Sequence, residues 1–171
     1  MATAGLGAHR RYDEIWQACA PRVQAYVLRH CGADGADDVV AETFLVAWRR
    51  LGEVPEPALP WLLVVARNVI SNQRRTRNRM RRDDSGVDHL AALSDEQPGP
   101  ELTVTERAAA MTALAGLSDT EREALLLVAW DGLTPGQAAD VAGCTAAAFR
   151  VRLHRARSHF SALFDQEGED R

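Results

Sequence analysis

The 171-residue sequence predicts an all-α protein: two small helical domains joined by a flexible acidic linker. Three observations carry that expectation. Apolar residues recur at i, i+3 and i+4 in several segments, the period of a helix with one buried face. Helix-start and helix-stop residues punctuate those segments at the right offsets. The charge also inverts abruptly. From Arg67 to Arg82 every charged residue is Arg; then come Asp83, Asp84, Asp88, Asp95, Glu96 and Glu101 among Gly86, Pro98, Gly99 and Pro100. That second composition is a linker's. The expected divisions are a disordered N-terminal tail at 1–9, a first domain at 10–82, the linker at 83–100, a second domain at 101–165 and a C-terminal tail at 166–171.

The first domain reads as three helices. Tyr12, Ile15, Trp16, Cys19, Val23, Val27 and His30 form the apolar stripe of the first, which Pro21 is expected to kink or split. The second runs from about Ala36 to Leu51. Asp34 is placed to cap it, Asp37 and Asp38 suit its positive end, and Arg49 and Arg50 suit its negative end. Its expected apolar face is Val40, Phe44, Ala47, Trp48 and Leu51, and Gly52 ends it. Pro60 opens the third, where its missing N–H costs nothing.

The second domain starts with a helix from about Glu101 to Ala115. Ser118 and Glu121 form a capping box for the next, which Asp131-Gly132 ends. Thr134 with Gln137 is another capping box, with Pro135 at the first helical position. That helix stops at Gly143, and Thr145 caps a final long one. A short helix, a tight turn and a longer basic helix form a helix-turn-helix pattern.

At 100° per residue, Phe149, Leu153, Ala156 and Phe160 share the buried side of the final helix. Ala147, Val151, His154 and Arg155 face outward, with Arg150 at the edge and Arg152 and Arg157 flanking the buried stripe. Small residues allow close approach to a major groove, and Arg or His reaches base edges and phosphates. A solvated amphipathic helix has a similar composition, but the caps and the turn favour DNA.

The third helix ends in seven Arg from Arg67 to Arg82, interleaved with Asn68, Asn72, Gln73 and Asn78. One or two cations complete a helix dipole. Seven repel one another unless a polyanion is present. With Trp61 as a stacking surface, charge and amides suit single-stranded nucleic acid. All twenty basic residues are Arg, although the chain is net −4.

Other chemistry is thinly represented. Cys19, Cys31 and Cys144 are far apart, and His154 and His159 miss the helical i,i+4 spacing, so no metal site and no disulfide framework is expected. No phosphate loop or framed nucleophile points to an enzyme, and no cofactor is implied. With no signal peptide and no run long enough to span a bilayer, a cytoplasmic protein without membrane insertion is expected.

DDVVAETFLVAWRRL followed by LPWLLVVARNVISNQRR resembles region 2 of bacterial RNA polymerase sigma factors, and LSDTEREALLLVAWDGLTPGQAADVAGCTAAAFRVRLHRAR resembles region 4. Two such regions with a short linker are similar to the extracytoplasmic-function (ECF) type. The resemblance implies a three-helix region 2 and a helix-turn-helix region 4. It implies binding to core RNA polymerase through Asp38, Glu42, Thr43 and Phe44. It implies that Trp61, Arg67, Asn68, Asn72, Arg74 and Arg75 hold the single-stranded −10 element. It implies that the final helix, with Arg150, Val151, His154, Arg155 and Arg157, reads the duplex −35 element of promoter DNA. An anti-sigma factor is a further implied partner. The chain departs from the family pattern at Ala41, where Gln is usual, at Ala147-Ala148 for Gly-Thr, and at Phe149 for Val. The competing readings are a one-component helix-turn-helix regulator on an operator, which leaves the first eighty residues unexplained, and a helical adaptor without nucleic acid.

Overall fold

The computed structural model describes residues 2–80 and 103–169, and every regular element among them is helical. The chain divides into two units, Met1–Leu93 and Ser94–Arg171. The expected linker at 83–100 lies outside the described residues.

Unit 1 contains α1 (Ala2–Cys31), α2 (Ala36–Arg49) and α3 (Leu59–Met80), with a short 3-10 turn at Leu51–Glu53. The three helices pack pairwise around Val23, Tyr26, Val27, Val39, Phe44, Leu62, Leu63 and Ala66. Pro21 neither kinks α1 into two helices nor ends it. Its ring forfeits one backbone bond, a cost of about 3 kcal/mol. But Cys19 lies buried just before it and Val23 just after, and each buried side chain returns roughly 1.5–3 kcal/mol.

Three sequence expectations need correction here. Residues 2–9 are not a disordered tail, because α1 starts at Ala2. Ala2, Ala4, Leu6 and Ala8 favour helix, and the His9 ring meets Trp48 of α2 at 4.9 Å. Asp34 does not cap α2; Gly35, in the left-handed region at φ 86°, takes the N-cap position without a side-chain bond. The buried face of α2 is also rotated. Ala36, Val39, Thr43, Phe44 and Ala47 are inside, while Trp48 is exposed.

Unit 2 contains α4 (Val104–Ala115), α5 (Asp119–Ala129), α6 (Pro135–Ala142) and α7 (Ala146–Glu169). α7 packs on each of the other three. Phe149, Leu153 and Ala156 supply its buried side. α7 extends through residues expected to form the C-terminal tail from 166 onward. The α4–α5 corner is tied by Arg122, whose Nε donates to the Leu114 carbonyl at 2.8 Å and whose Nη2 donates to those of Ala115 and Leu117 at 2.9 Å. The Leu114 and Ala115 carbonyls belong to the last turn of α4, where intrahelical donors run out, and that of Leu117 lies just beyond it. A capping box at Thr103 and Glu106 starts α4.

Candidate protein and nucleic-acid interfaces

The outward face of α2 carries Asp38, Ala41, Glu42, Leu45 and Trp48, all exposed. Their i, i+3, i+4 spacing sets them in one stripe. Leu45 is 45% exposed and Trp48 38%. Trp16 of α1, 42% exposed, lies with its ring 4.4 Å from that of Phe44, and Tyr12 meets Trp48 at 5.2 Å. The result is an apolar and aromatic surface beside two carboxylates.

Of the four residues expected to touch a protein partner, two do not reach solvent. Phe44 is 1% exposed and Thr43 0%. The Thr43 hydroxyl donates to the Val39 carbonyl at 2.7 Å, which satisfies it inside the core. Glu42, Thr43 and Phe44 are consecutive, and each step along a helix turns by about 100°, so they cannot share one face. Leu45 and Trp48 are the exposed members of this stripe that motif reading missed; two successive steps of three residues from Glu42 reach both.

The six residues expected on nucleic acid divide similarly. Asn68, Asn72 and Arg75 are exposed on α3, and Trp61 is half-buried at its start. Helical rotation sets these four within about 60° of one another, opposite the buried Leu63, Ala66 and Ile70. Arg67 and Arg74 lie at the edge facing the other helices. Arg74 donates through Nη2 to the His30 carbonyl near the end of α1, so it closes a helix terminus as Arg122 does.

Arg50, at the end of α2, places its guanidinium over the Trp61 ring, 5.7 Å from the centroid. Its Nε and Nη2 both donate to Glu53 Oε2. That hydrogen bond, and then the charge itself, hold the Glu53 carboxyl below its usual range.

In unit 2 the turn geometry is local. Thr134 Oγ1 accepts from the Gln137 N–H at 3.3 Å, and Gln137 Oε1 accepts from the Thr134 N–H at 2.9 Å. Gly143, at φ 65°, ends α6 in the left-handed region. Thr145 Oγ1 accepts from the Ala148 N–H at 3.2 Å and starts α7. Ala147, Arg150, Val151, His154, Arg155 and Arg157 are all exposed. Val151, 53% exposed, sits among them. No acidic residue occurs from 146 to 164. Arg150 Nε donates back to the Ala146 carbonyl at 3.1 Å. Arg152 is half-buried.

His159 Nδ1 is 2.8 Å from Glu121 Oε1. Glu121 Oε2 accepts from the Ser118 hydroxyl at 2.6 Å. The Ser118 hydroxyl, more than His159, holds the Glu121 carboxyl below its usual range. Among the described residues there is no cluster of side chains able to hold a metal ion and no helix long and apolar enough to cross a membrane.

Residues 15–80 match the family model for Sigma-70 region 2, and residues 107–160 match that for Sigma-70, region 4. The ECF RNA polymerase sigma factor EcfG of Rhodopseudomonas palustris is 35% identical over 156 residues, covering 90% of this chain and 84% of EcfG. The protein named "Probable RNA polymerase sigma factor RfaY" of Xanthomonas campestris is 35% identical over 164 residues, 91% of this chain; the chain spans only 40% of RfaY. Among solved structures, CnrH in complex with the cytosolic domain of CnrY is similar with a TM-score of 0.59 and 28% identity, covering 96% of this chain and 94% of that one. RpoE of Bartonella quintana, solved with the anti-sigma factor NepR, shares the fold with a TM-score of 0.66 at 23% identity, over 90% of this chain and 96% of that one.

Proposed function

The chain belongs to the sigma-70 family as an ECF-type RNA polymerase sigma factor, and from that premise we propose how its surfaces divide the work of initiation. It is not a catalyst; it confers promoter choice on the polymerase that is. Asp38 and Glu42, with Ala41, Leu45 and Trp48, dock on core polymerase. The apolar side chains supply the buried centre and the carboxylates its charged rim. Thr43 and Phe44 contribute by holding α2 in place. Trp61, Asn68, Asn72 and Arg75 receive the unpaired −10 strand, by stacking, amide bonding and charge. Arg67 and Arg74 border this face.

Arg150, Val151, His154, Arg155 and Arg157 meet the duplex −35 element from the groove side of α7. Regions 10–82 and 101–165 act as the two binding domains, joined by residues 83–100. A protein regulator of the anti-sigma kind, the partner that membership of the family implies, is assigned to the chain; CnrH, 28% identical, was likewise solved with a protein partner, the cytosolic domain of CnrY. A subunit of RNA polymerase acting on chromosomal promoters is placed in the cytoplasm.

The observation that carries the reading is the pairing in one chain of two chemically opposite faces, acidic and apolar on α2, basic and free of acid on α7 from 146 to 164. Run-off transcription tests it. Purified core polymerase with this protein should initiate at a defined start, and Glu42→Lys should reduce the transcript. Failure to produce any start-specific transcript would return the helix-turn-helix regulator to first place.

A further inference from the structure

Trp61 is not presented bare. The Arg50 guanidinium covers its ring at 5.7 Å, within cation–π range. Glu53 binds one edge of that guanidinium through two N–H donors to a single oxygen. Half of the Arg50 side chain remains exposed, at 52%. Arg50 therefore has one side on an aromatic ring, one edge fixed by a carboxylate, and exposed surface beyond. Its position follows from local structure. It ends α2 with its N–H bonded to the Val46 carbonyl, and the 3-10 turn that follows brings Glu53 back beside it, the Glu53 N–H donating to the Arg50 carbonyl at 2.8 Å.

We propose that Arg50 is a contact residue for the −10 strand: with Trp61 it forms a two-layer shelf, and an unpaired base stacks on the guanidinium's outer face. This rests on the placement of the −10 strand at Trp61 and deepens it. A guanidinium is planar and delocalised, stacks on aromatic faces, and is less strongly hydrated than an ammonium. Bases turned out of a strand stack on Arg planes as well as on aromatic rings. Glu53 fixes one edge of the guanidinium and offsets part of the charge that would otherwise draw Arg50 to a phosphate. Asn68, Asn72 and Arg75, along the same face of α3, then lie on the path of the strand leaving the shelf.

The alternatives differ in sign. A simple phosphate contact needs charge but no plane, so Lys would serve. A lid that must swing away would inhibit binding, so its removal would tighten it.

The test uses holoenzyme with polymerase saturated by each variant. The probe is fork-junction DNA built on a promoter obtained from the run-off assay, with 2-aminopurine placed at each unpaired position in turn. Arg50→Ala should weaken binding about 5- to 10-fold, within the range of one lost base stack, and should raise 2-aminopurine fluorescence at one position. Arg50→Lys should not restore either. Arg50→Ala combined with Trp61→Ala should be no weaker than Trp61→Ala alone. Glu53→Ala should weaken binding less than Arg50→Ala and add nothing to it. Full affinity in Arg50→Lys, tighter binding in Arg50→Ala, or additive losses would each overturn the shelf. If Trp61→Ala weakens binding while Arg50→Ala does not, the shelf fails and the −10 site stands. If Trp61→Ala has no effect, both fail.

Discussion

The outward faces of α2 and α7 differ in chemistry. On α2 the exposed centre is apolar, Leu45 and Trp48, and the charge beside it is acidic, Asp38 and Glu42. On α7 the exposed apolar residues are small, Ala147 and Val151, and the surrounding charge is cationic. A protein partner is held mainly by buried apolar and aromatic side chains, with charge steering its approach. A DNA duplex offers phosphates and base edges, so charge supplies affinity and a few side chains supply choice. Net charge conceals this division, because a chain at −4 contains a 19-residue stretch without acid, 146–164.

The largest expected effect is at Phe44. Buried at the α1–α2 contact, it is a support rather than a contact. Phe44→Ala should cost about 3–5 kcal/mol of stability, visible in denaturant melts, with polymerase binding lost as unit 1 unfolds. A Phe44→Ala protein that melts normally yet no longer binds polymerase would reverse that assignment.

Next is Leu45→Ala, one residue along and outside. Melting should shift by no more than about 0.5 kcal/mol, while polymerase affinity falls by about 2 kcal/mol, roughly 30-fold. Unchanged affinity in both Leu45→Ala and Glu42→Ala would remove α2 as the docking face.

On α7 the expected losses are about 1–3 kcal/mol per base-reading side chain, with relaxed preference at one −35 position. Arg150, near the N-terminal end of the helix, is expected to behave this way. Arg157 should instead weaken all promoters alike and lower the salt slope by about one. Initiation from a −35 library with each Arg→Ala variant, at two salt concentrations, separates the two classes. Identical sequence preferences and salt slopes in all variants would count against α7 as the reader.

The smallest effect concerns acid. Hydrogen bonds from Thr103, backbone first and hydroxyl second, hold the Glu106 carboxyl below its ordinary 4.5. Its folded value is thus lower than its unfolded one. The carboxylate's share of the cap is complete above about 4.5 and is lost as pH falls from there through the folded value. Glu106→Gln, which removes the ionisable group but keeps a side-chain oxygen to accept from residue 103, should flatten the acid limb of unit 2's stability curve, read from denaturant melts across pH. Equal acid sensitivity in wild type and variant would show that this cap does not contribute to it.

What the sequence determined by itself was mostly local. The Ser118–Glu121 and Thr134–Gln137 pairs and the Thr145 cap each join residues three positions apart, and the Gly143 stop is as local, so chain geometry alone brings their atoms together. The outward face of α7 was legible because its residues were chosen by helical rotation. The same rule applied to α2 would have kept Asp38 with Glu42 and excluded Phe44; taking Thr43 and Phe44 from a contiguous motif mixed two faces. The motifs also gave the order of the two regions, which carried the family resemblance.

Tertiary structure decided the rest. It set the rotation that buries Val39 and Thr43, and it kept α1 continuous through Pro21. It drew Arg74 to the His30 carbonyl, 44 residues away, and Arg11 to that of Val54, 43 away. It also put Arg50 over Trp61. An Arg side chain is long and carries five donors in a fixed fork, so its sequence neighbours do not say whether it meets solvent, a phosphate or a carbonyl at the end of another helix. Only the packing of three helices brings one of those acceptors within reach.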